Sequence, residues 1–170
     1  MEPLASTIRP KKLSEFIGQS HLVGKGKPIR TALENQHLFS FIFWGPPGVG
    51  KTTLARIYAN ALNVEYFELS AVSSGKEDIR KIVRFQTQEN KAKVLFLDEI
   101  HRFNKAQQDF LLPFVESGEI TLIGATTENP SFEIIAPLLS RCRVFILNPL
   151  QPKEMEKIIE RTKLKIKADA

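Results

Sequence analysis

A chain of 170 residues has room for one domain with a real core and too little for two full ones. Its 42% hydrophobic and 25% charged content is ordinary for a water-soluble globular protein, and no apolar run reaches membrane-spanning length or makes a signal segment of Met1–Pro10, so a cytoplasmic protein with no membrane partner is expected. The net charge of +5 mildly favours an acidic partner such as nucleic acid, while the single Cys142 excludes an internal disulfide and three scattered histidines (His21, His37, His101) make no zinc site.

Residues 1–10 read as extended, and Lys11–Gly18 as at most a short helical turn ended by Gly18. Pro28 suits the first position of a helix with Ile29, Ala32 and Leu33 on one face. Phe41–Trp44 is a continuous apolar run of the kind buried on both faces of a sheet. It leads through a glycine-rich turn into a helix that stops near Asn63, followed by a strand over Val64–Leu69. Ser74-Gly75-Lys76-Glu77 has the spacing of a capping box, opening a helix with Ile79, Ile82 and Val83 inward and Arg80, Lys81 and Arg84 outward. Val94–Leu97 is the next strand. Asn104 can cap a helix that buries Phe110, Leu111, Phe114 and Val115, is kinked at Pro113 and ends at Gly118. Strands at Ile120–Ala125 and Val144–Leu147 complete an alternation that predicts an α/β fold with a parallel, doubly wound sheet. Pro149 and Pro152 bracket a linker before a basic helix over Lys153–Ala168, whose apolar residues lie only loosely on one face. The expected division is one α/β domain over 1–148, then a linker and a lone terminal helix over 149–170 that suggests the start of a second unit. There are no internal repeats.

The chemistry concentrates at strand ends. Gly45-Pro46-Pro47-Gly48-Val49-Gly50-Lys51-Thr52 lies between a strand and a helix, the context of a phosphate-binding P-loop. Glycines let backbone N–H groups turn inward around phosphate, and the helix start adds unpaired donors. Lys51 would reach the β- and γ-phosphates and the Thr52 hydroxyl would ligate Mg²⁺, with Thr53 beside it. The second motif is Asp98-Glu99 at the end of an apolar strand. There Asp98 can hold the metal while Glu99 polarises an attacking water. Thr126, at the next strand's end, offers a hydroxyl to a γ-phosphate or to water. Arg141, in Ser140-Arg141-Cys142-Arg143, can supply positive charge to a neighbouring subunit's nucleotide.

Taken in order, these motifs resemble the AAA+ ATPases, within them the branch of clamp loaders and Holliday-junction motors. The wording around the motifs is closer still to the family of replication-associated recombination protein A and the Werner-helicase-interacting ATPase. It lies in Pro3-Leu4-Ala5 with Ile8-Arg9-Pro10, in Phe16-Ile17-Gly18-Gln19-Ser20-His21-Leu22, in Asp98–Asn104 and in Gly124–Phe132. The resemblance implies a five-stranded sheet of order 5-1-4-3-2 with helices on both faces, and ATP with Mg²⁺ bound between the subunits of a homo-oligomer. It implies that Ile8, Arg9, Ile17 and Gly18 enclose the adenine, that Thr126 senses the γ-phosphate, and that Arg141 is the finger inserted in trans, with Arg143 a competing candidate. It further implies a DNA-dependent ATPase at the bacterial nucleoid, acting on single-stranded, gapped or forked DNA in replication-fork maintenance, recombination and repair, beside replication proteins such as single-strand-binding protein. Turnover by these 170 residues alone is expected to be weak, because only the start of a lid is present. Two alternatives stay open: a non-catalytic, nucleotide-gated clamp-loader-like or Holliday-junction-motor-like subunit, and a small-molecule P-loop kinase.

Overall fold

The structure, a computed structural model, describes residue 3 and residues 8–169. The extended reading of residues 1, 2 and 4–7 and the part of the resemblance carried by Leu4 and Ala5 lie outside the described residues. In chain order the elements are α1 (Ser20–Val23), α2 (Pro28–Glu34), β1 (Phe41–Trp44), α3 (Lys51–Ala61), β2 (Glu65–Ser70), α4 (Lys76–Arg84) and β3 (Lys93–Asp98). They continue with α5 (Lys105–Ser117), β4 (Thr121–Thr126), α6 (Pro130–Glu133), α7 (Ala136–Leu139), β5 (Arg143–Ile146) and α8 (Pro152–Ala168). All strand pairs are parallel, in the order β2-β3-β4-β1-β5, which is the expected 5-1-4-3-2 read from the other edge.

Alternation along each strand sorts the core into two layers. Phe41, Phe43, Val94, Phe96, Ile123, Ala125 and Phe145 point to the layer covered by α1–α3. Ile42, Leu95, Leu97 and Leu122 point to the layer covered by α4, α5 and α7. The first layer is built on aromatic rings, with Phe41 at 5.0 Å from both Phe43 and Tyr58 and 5.4 Å from Phe145. Tyr58 is fully buried, yet its hydroxyl donates to the His37 carbonyl at 2.6 Å and accepts from the Phe39 amide at 3.3 Å. Burial pushes this phenol up to about 12, against a smaller downward pull from the Phe39 N–H. A raised phenol stabilises the fold fully below the unfolded value of about 10 and loses that contribution as pH climbs through the folded value. Tyr58→Phe leaves the Phe39 amide without its acceptor, so a loss of about 1–2 kcal/mol is expected from the denaturant midpoint at pH 7.

Local sequence accounts for most boundaries. Pro28 occupies the first turn of α2. Asn104 accepts from Gln107 N at 2.8 Å while the Gln107 side chain accepts from Asn104 N, closing a box at the start of α5, and Gly118 ends that helix at φ 80°. Other expectations need correction. The Lys11–Gly18 turn narrows to a 3-10 turn over Leu13–Glu15 that closes on Phe16, two residues before Gly18. The N-cap of α4 is Gly75, not Ser74, and it is Asp78 whose carboxylate accepts from Gly75 N at 2.9 Å. Glycine brings no side chain, so only half of a box forms. Helix α5 runs from Lys105 to Ser117 with Pro113, on its exposed side, inside it. Of the apolar residues of α8, Met155, Ile159, Leu164 and Ile166 are exposed while Ile158 turns toward the body, and Arg161 ties the helix down, its guanidinium holding both the carboxylate and the carbonyl of Glu15.

Candidate active site

In a parallel sheet every strand delivers its C-terminal end to the same rim. The register sets Trp44 of β1 beside Thr126 of β4, and Leu97 of β3 beside Gly124. The residues that follow β1, β3 and β4 therefore meet at one place, near the point where the chain leaves the central β1 for the far edge strand β2. A cavity of about 390 Å³ opens there, lined by Lys51, Thr52, Asp98, Glu99, Thr126 and the loop glycines Gly48 and Gly50, together with Arg9, Pro47, Thr53 and Thr127. A second, more apolar cavity of about 230 Å³ shares Arg9, Gly48, Gly50 and Thr53 with the first and continues past Ile8, Ile17 and Val49 to Ile158 and Arg161 of α8. A polar chamber thus adjoins an apolar one, with four residues common to both.

The loop is set by glycine. Gly48 and Gly50 lie at φ 77° and 102°, in the left-handed region where a Cβ is strained. A Cβ on Gly50 would also sit 2.8 Å from the Phe16 ring, which walls the apolar chamber. Helix α3 starts at once, with Leu54 N donating to the Gly50 carbonyl at 2.8 Å, so its first amides point into the polar chamber's end of the helix without intrahelical partners. Gly50→Val combines backbone strain with the Phe16 collision, and ATP affinity is expected to fall at least about tenfold by titration with a fluorescent analogue, roughly 1.4 kcal/mol.

Lys51 bends back over the loop and donates to the carbonyls of Gly45 and Pro46 at 2.6 and 2.7 Å. Burial pulls its ammonium below the ordinary lysine value, and the nearby charge of Asp98 offsets this only partly. A ligand of high negative charge would reverse that imbalance. The Asp98 carboxylate takes the Glu99 amide at 2.9 Å, and Glu99 itself sits at φ 52° just before the 3-10 turn Ile100–Arg102. A non-glycine residue held in this region costs about 1 kcal/mol or more, a strain that collects at functional sites. Thr126 is buried; its carbonyl accepts from Gly45 N at 3.1 Å and its hydroxyl meets His101 Nδ1 at 2.9 Å. Thr52 and Asp98 supply a hydroxyl and a carboxylate to one cavity, a hard-oxygen pair that suits Mg²⁺.

Three predicted site residues stand behind the cavities. Gly45 packs on Leu147, where a Cβ would come within 2.6 Å of the carbonyl, and Pro46 lends its carbonyl to Lys51. Gly18 packs against Leu150 and Glu154 rather than lining the apolar chamber. Arg141 lies away from both chambers, bound to Glu116 at 2.9 Å and to the Pro137 carbonyl at 2.7 Å. Arg143 begins β5 at the opposite end of the sheet, with its guanidinium 5.2 Å from the Phe145 ring. Two glutamines that the sequence did not single out fix the surroundings. Gln19 makes a two-way clamp on the Asn148 backbone at 2.8 and 2.9 Å, tying the wall of the apolar chamber to the end of β5. Gln108 links Phe103, Glu133 and Ile135, joining the turn after Glu99 to the segment that leads to Arg141. Neither had a local signal that set it apart from other polar residues in the sequence.

No helix among the described residues is long and apolar enough to cross a membrane, and none of their His, Cys, Asp and Glu side chains gather in threes as a metal site. The family model described as "ATPase family associated with various cellular activities (AAA)" matches residues 41–150. Replication-associated recombination protein A of Haemophilus influenzae is 51% identical over 161 residues, covering 93% of this chain and 36% of the relative. The ATPase WRNIP1 of Dictyostelium discoideum is 50% identical over 163 residues, covering 94% of this chain and 19% of that protein. Among solved structures, the RuvB Holliday junction branch migration motor of Thermotoga maritima superposes with a TM-score of 0.74 at 36% identity, over 91% of this chain and 53% of that one. The chain thus spans about a third of the length of the bacterial relatives it matches, 36% in the case of the Haemophilus protein.

Proposed function

This chain belongs to the ATPase family associated with various cellular activities (AAA), and on that premise we propose that it is the Mg-ATP-binding and ATP-hydrolysing core of a machine that acts on DNA. The observation that carries the reading is the continuity of the two chambers: a P-loop, a paired carboxylate and a buried threonine surround one, and an apolar wall surrounds the other. Ile8, Arg9 and Ile17 enclose the base, with Gly18 and Gln19 holding that wall in place. The backbone from Gly45 to Thr53 cradles the phosphates. Lys51 leaves the carbonyls of Gly45 and Pro46 for the β- and γ-phosphates, and Thr52 and Asp98 hold Mg²⁺, which when bound neutralises phosphate charge. Glu99 orients a water and takes its proton; Thr126 donates to the γ-phosphate. A carboxylate beside the metal ligand favours attack by water over transfer to a metabolite.

Arg141 completes the site from a neighbouring copy in a homo-oligomer, which requires it to exchange Glu116 for a phosphate. Arg143 is the weaker candidate because its guanidinium is already stacked on Phe145. Helix α8 serves as the first part of a helical lid, since Ile158 and Arg161 close the apolar chamber. By the similarity to replication-associated recombination protein A and WRNIP1, the substrate structures are single-stranded, gapped or forked DNA in the bacterial cytoplasm, with single-strand-binding protein nearby. The test is phosphate release by the full-length protein with and without such DNA: stimulation by at least one of these structures is expected, and no release on any of them would sink the reading.

A further inference from the structure

The Thr126 hydroxyl has one proton and two lone pairs, and three groups surround it. Glu128 N donates to it at 2.9 Å, His101 Nδ1 stands at 2.9 Å, and the Glu128 carbonyl lies at 3.2 Å. Only one placement of protons satisfies all three contacts together. If His101 carried its proton on Nε2 alone, the hydroxyl would spend its single proton on Nδ1, leaving nothing for the Glu128 carbonyl or for a ligand. If Nδ1 bears the proton, the two N–H groups fill both lone pairs and the hydroxyl proton goes to Glu128 O. That last bond is the longest of the three, and so the most easily given up.

We propose that His101 is a positioning residue that donates Nδ1–H to Thr126 and thereby makes the threonine hydroxyl an obligate donor toward a phosphate oxygen in the cavity it borders. The inference rests on the ATPase reading above and extends it to a residue with no other assigned part. Thr126 is pinned at its other end, because its carbonyl accepts from the first amide of the P-loop, Gly45 N, at 3.1 Å. His101 stands in the turn that begins at Glu99, whose carbonyl accepts from Arg102 N at 2.8 Å. The imidazole therefore joins the residue that meets the phosphate to the turn that aims the water-activating carboxylate. When the hydroxyl proton swings from Glu128 O to a γ-phosphate, the Nδ1–H bond strengthens and the turn is held in register. The tautomer follows from the hydrogen-bond network and is directly measurable.

Two measurements test this. Long-range ¹⁵N–¹H correlation on the histidines of the protein is expected to show the His101 proton on Nδ1; a proton on Nε2 alone overturns the proposal. In ATP turnover by the full-length protein, His101→Ala is expected to lower kcat about tenfold with KM changed less than about twofold, because a donor that acts in the transition state moves kcat rather than ground-state binding. His101→Asn, whose amide N–H can take the place of Nδ1–H, is expected to recover turnover to within about threefold of wild type. Wild-type kcat in His101→Ala, or an Asn variant as poor as the Ala variant, overturns the proposal. A wild-type protein without turnover would instead defeat the ATPase reading, and the tautomer would then decide alone.

Discussion

Glu99→Gln is expected to abolish phosphate release while leaving ATP bound. The side chain keeps its size and its place at φ 52° in front of the Ile100–Arg102 turn, and Glu99 N keeps its bond to Asp98. What is lost is a carboxylate able to take a proton from water, a role worth roughly 10²–10⁴-fold in rate. Because the metal-holding pair Thr52 and Asp98 is untouched, affinity for ATP should stay within about twofold, so the variant is expected to trap the nucleotide. The measurement is single-turnover hydrolysis beside equilibrium binding of the same nucleotide. Unchanged turnover would assign water activation to another group.

The second large effect concerns Arg141. In the isolated chain its guanidinium is spent on Glu116 and the Pro137 carbonyl, and it lines neither chamber. A residue so placed can serve catalysis only across a subunit boundary, where an added arginine is worth about 10³–10⁵ in kcat. Arg141→Ala is therefore expected to lose turnover by about a thousandfold with ATP still bound. Lys51→Ala is expected to fail for the opposite reason, since it empties its own loop while its arginine is intact. Mixing the two should restore part of the activity, because some interfaces then pair a sound loop with a sound finger. No recovery at any mixing ratio, with mixed oligomers demonstrated, would remove Arg141 from the site.

Much of this is legible in the sequence. The four strands after β1 each shift by only one residue from the bounds read in the sequence, because long apolar runs with clear flanks leave little choice. Gly48 and Gly50, Lys51, Thr52, Asp98, Glu99 and Thr126 meet because they end or follow parallel strands, and that follows from alternation alone. The short helices Ser20–Val23, Pro130–Glu133 and Ala136–Leu139 were not legible, since four residues span barely one helical turn and carry no periodicity. The face of α8 was also hidden. Its apolar residues lie only loosely on one face, and the contact that ties it down pairs Arg161 with Glu15, 146 positions away. His101, Gln19 and Gln108 belong to the same class: each acts through backbone groups or hydroxyls distant in sequence, where no local pattern reports the partner.

The central claim is that these chambers hydrolyse ATP and that each needs a neighbour to do so. It is tested most directly by phosphate release from saturating ATP, measured on the full-length protein across a wide range of protein concentration with forked DNA present. Activity per molecule is expected to rise with concentration and level off as copies assemble. Bound ATP without phosphate release at any concentration, or an activity per molecule that is the same in dilute monomer, would contradict it.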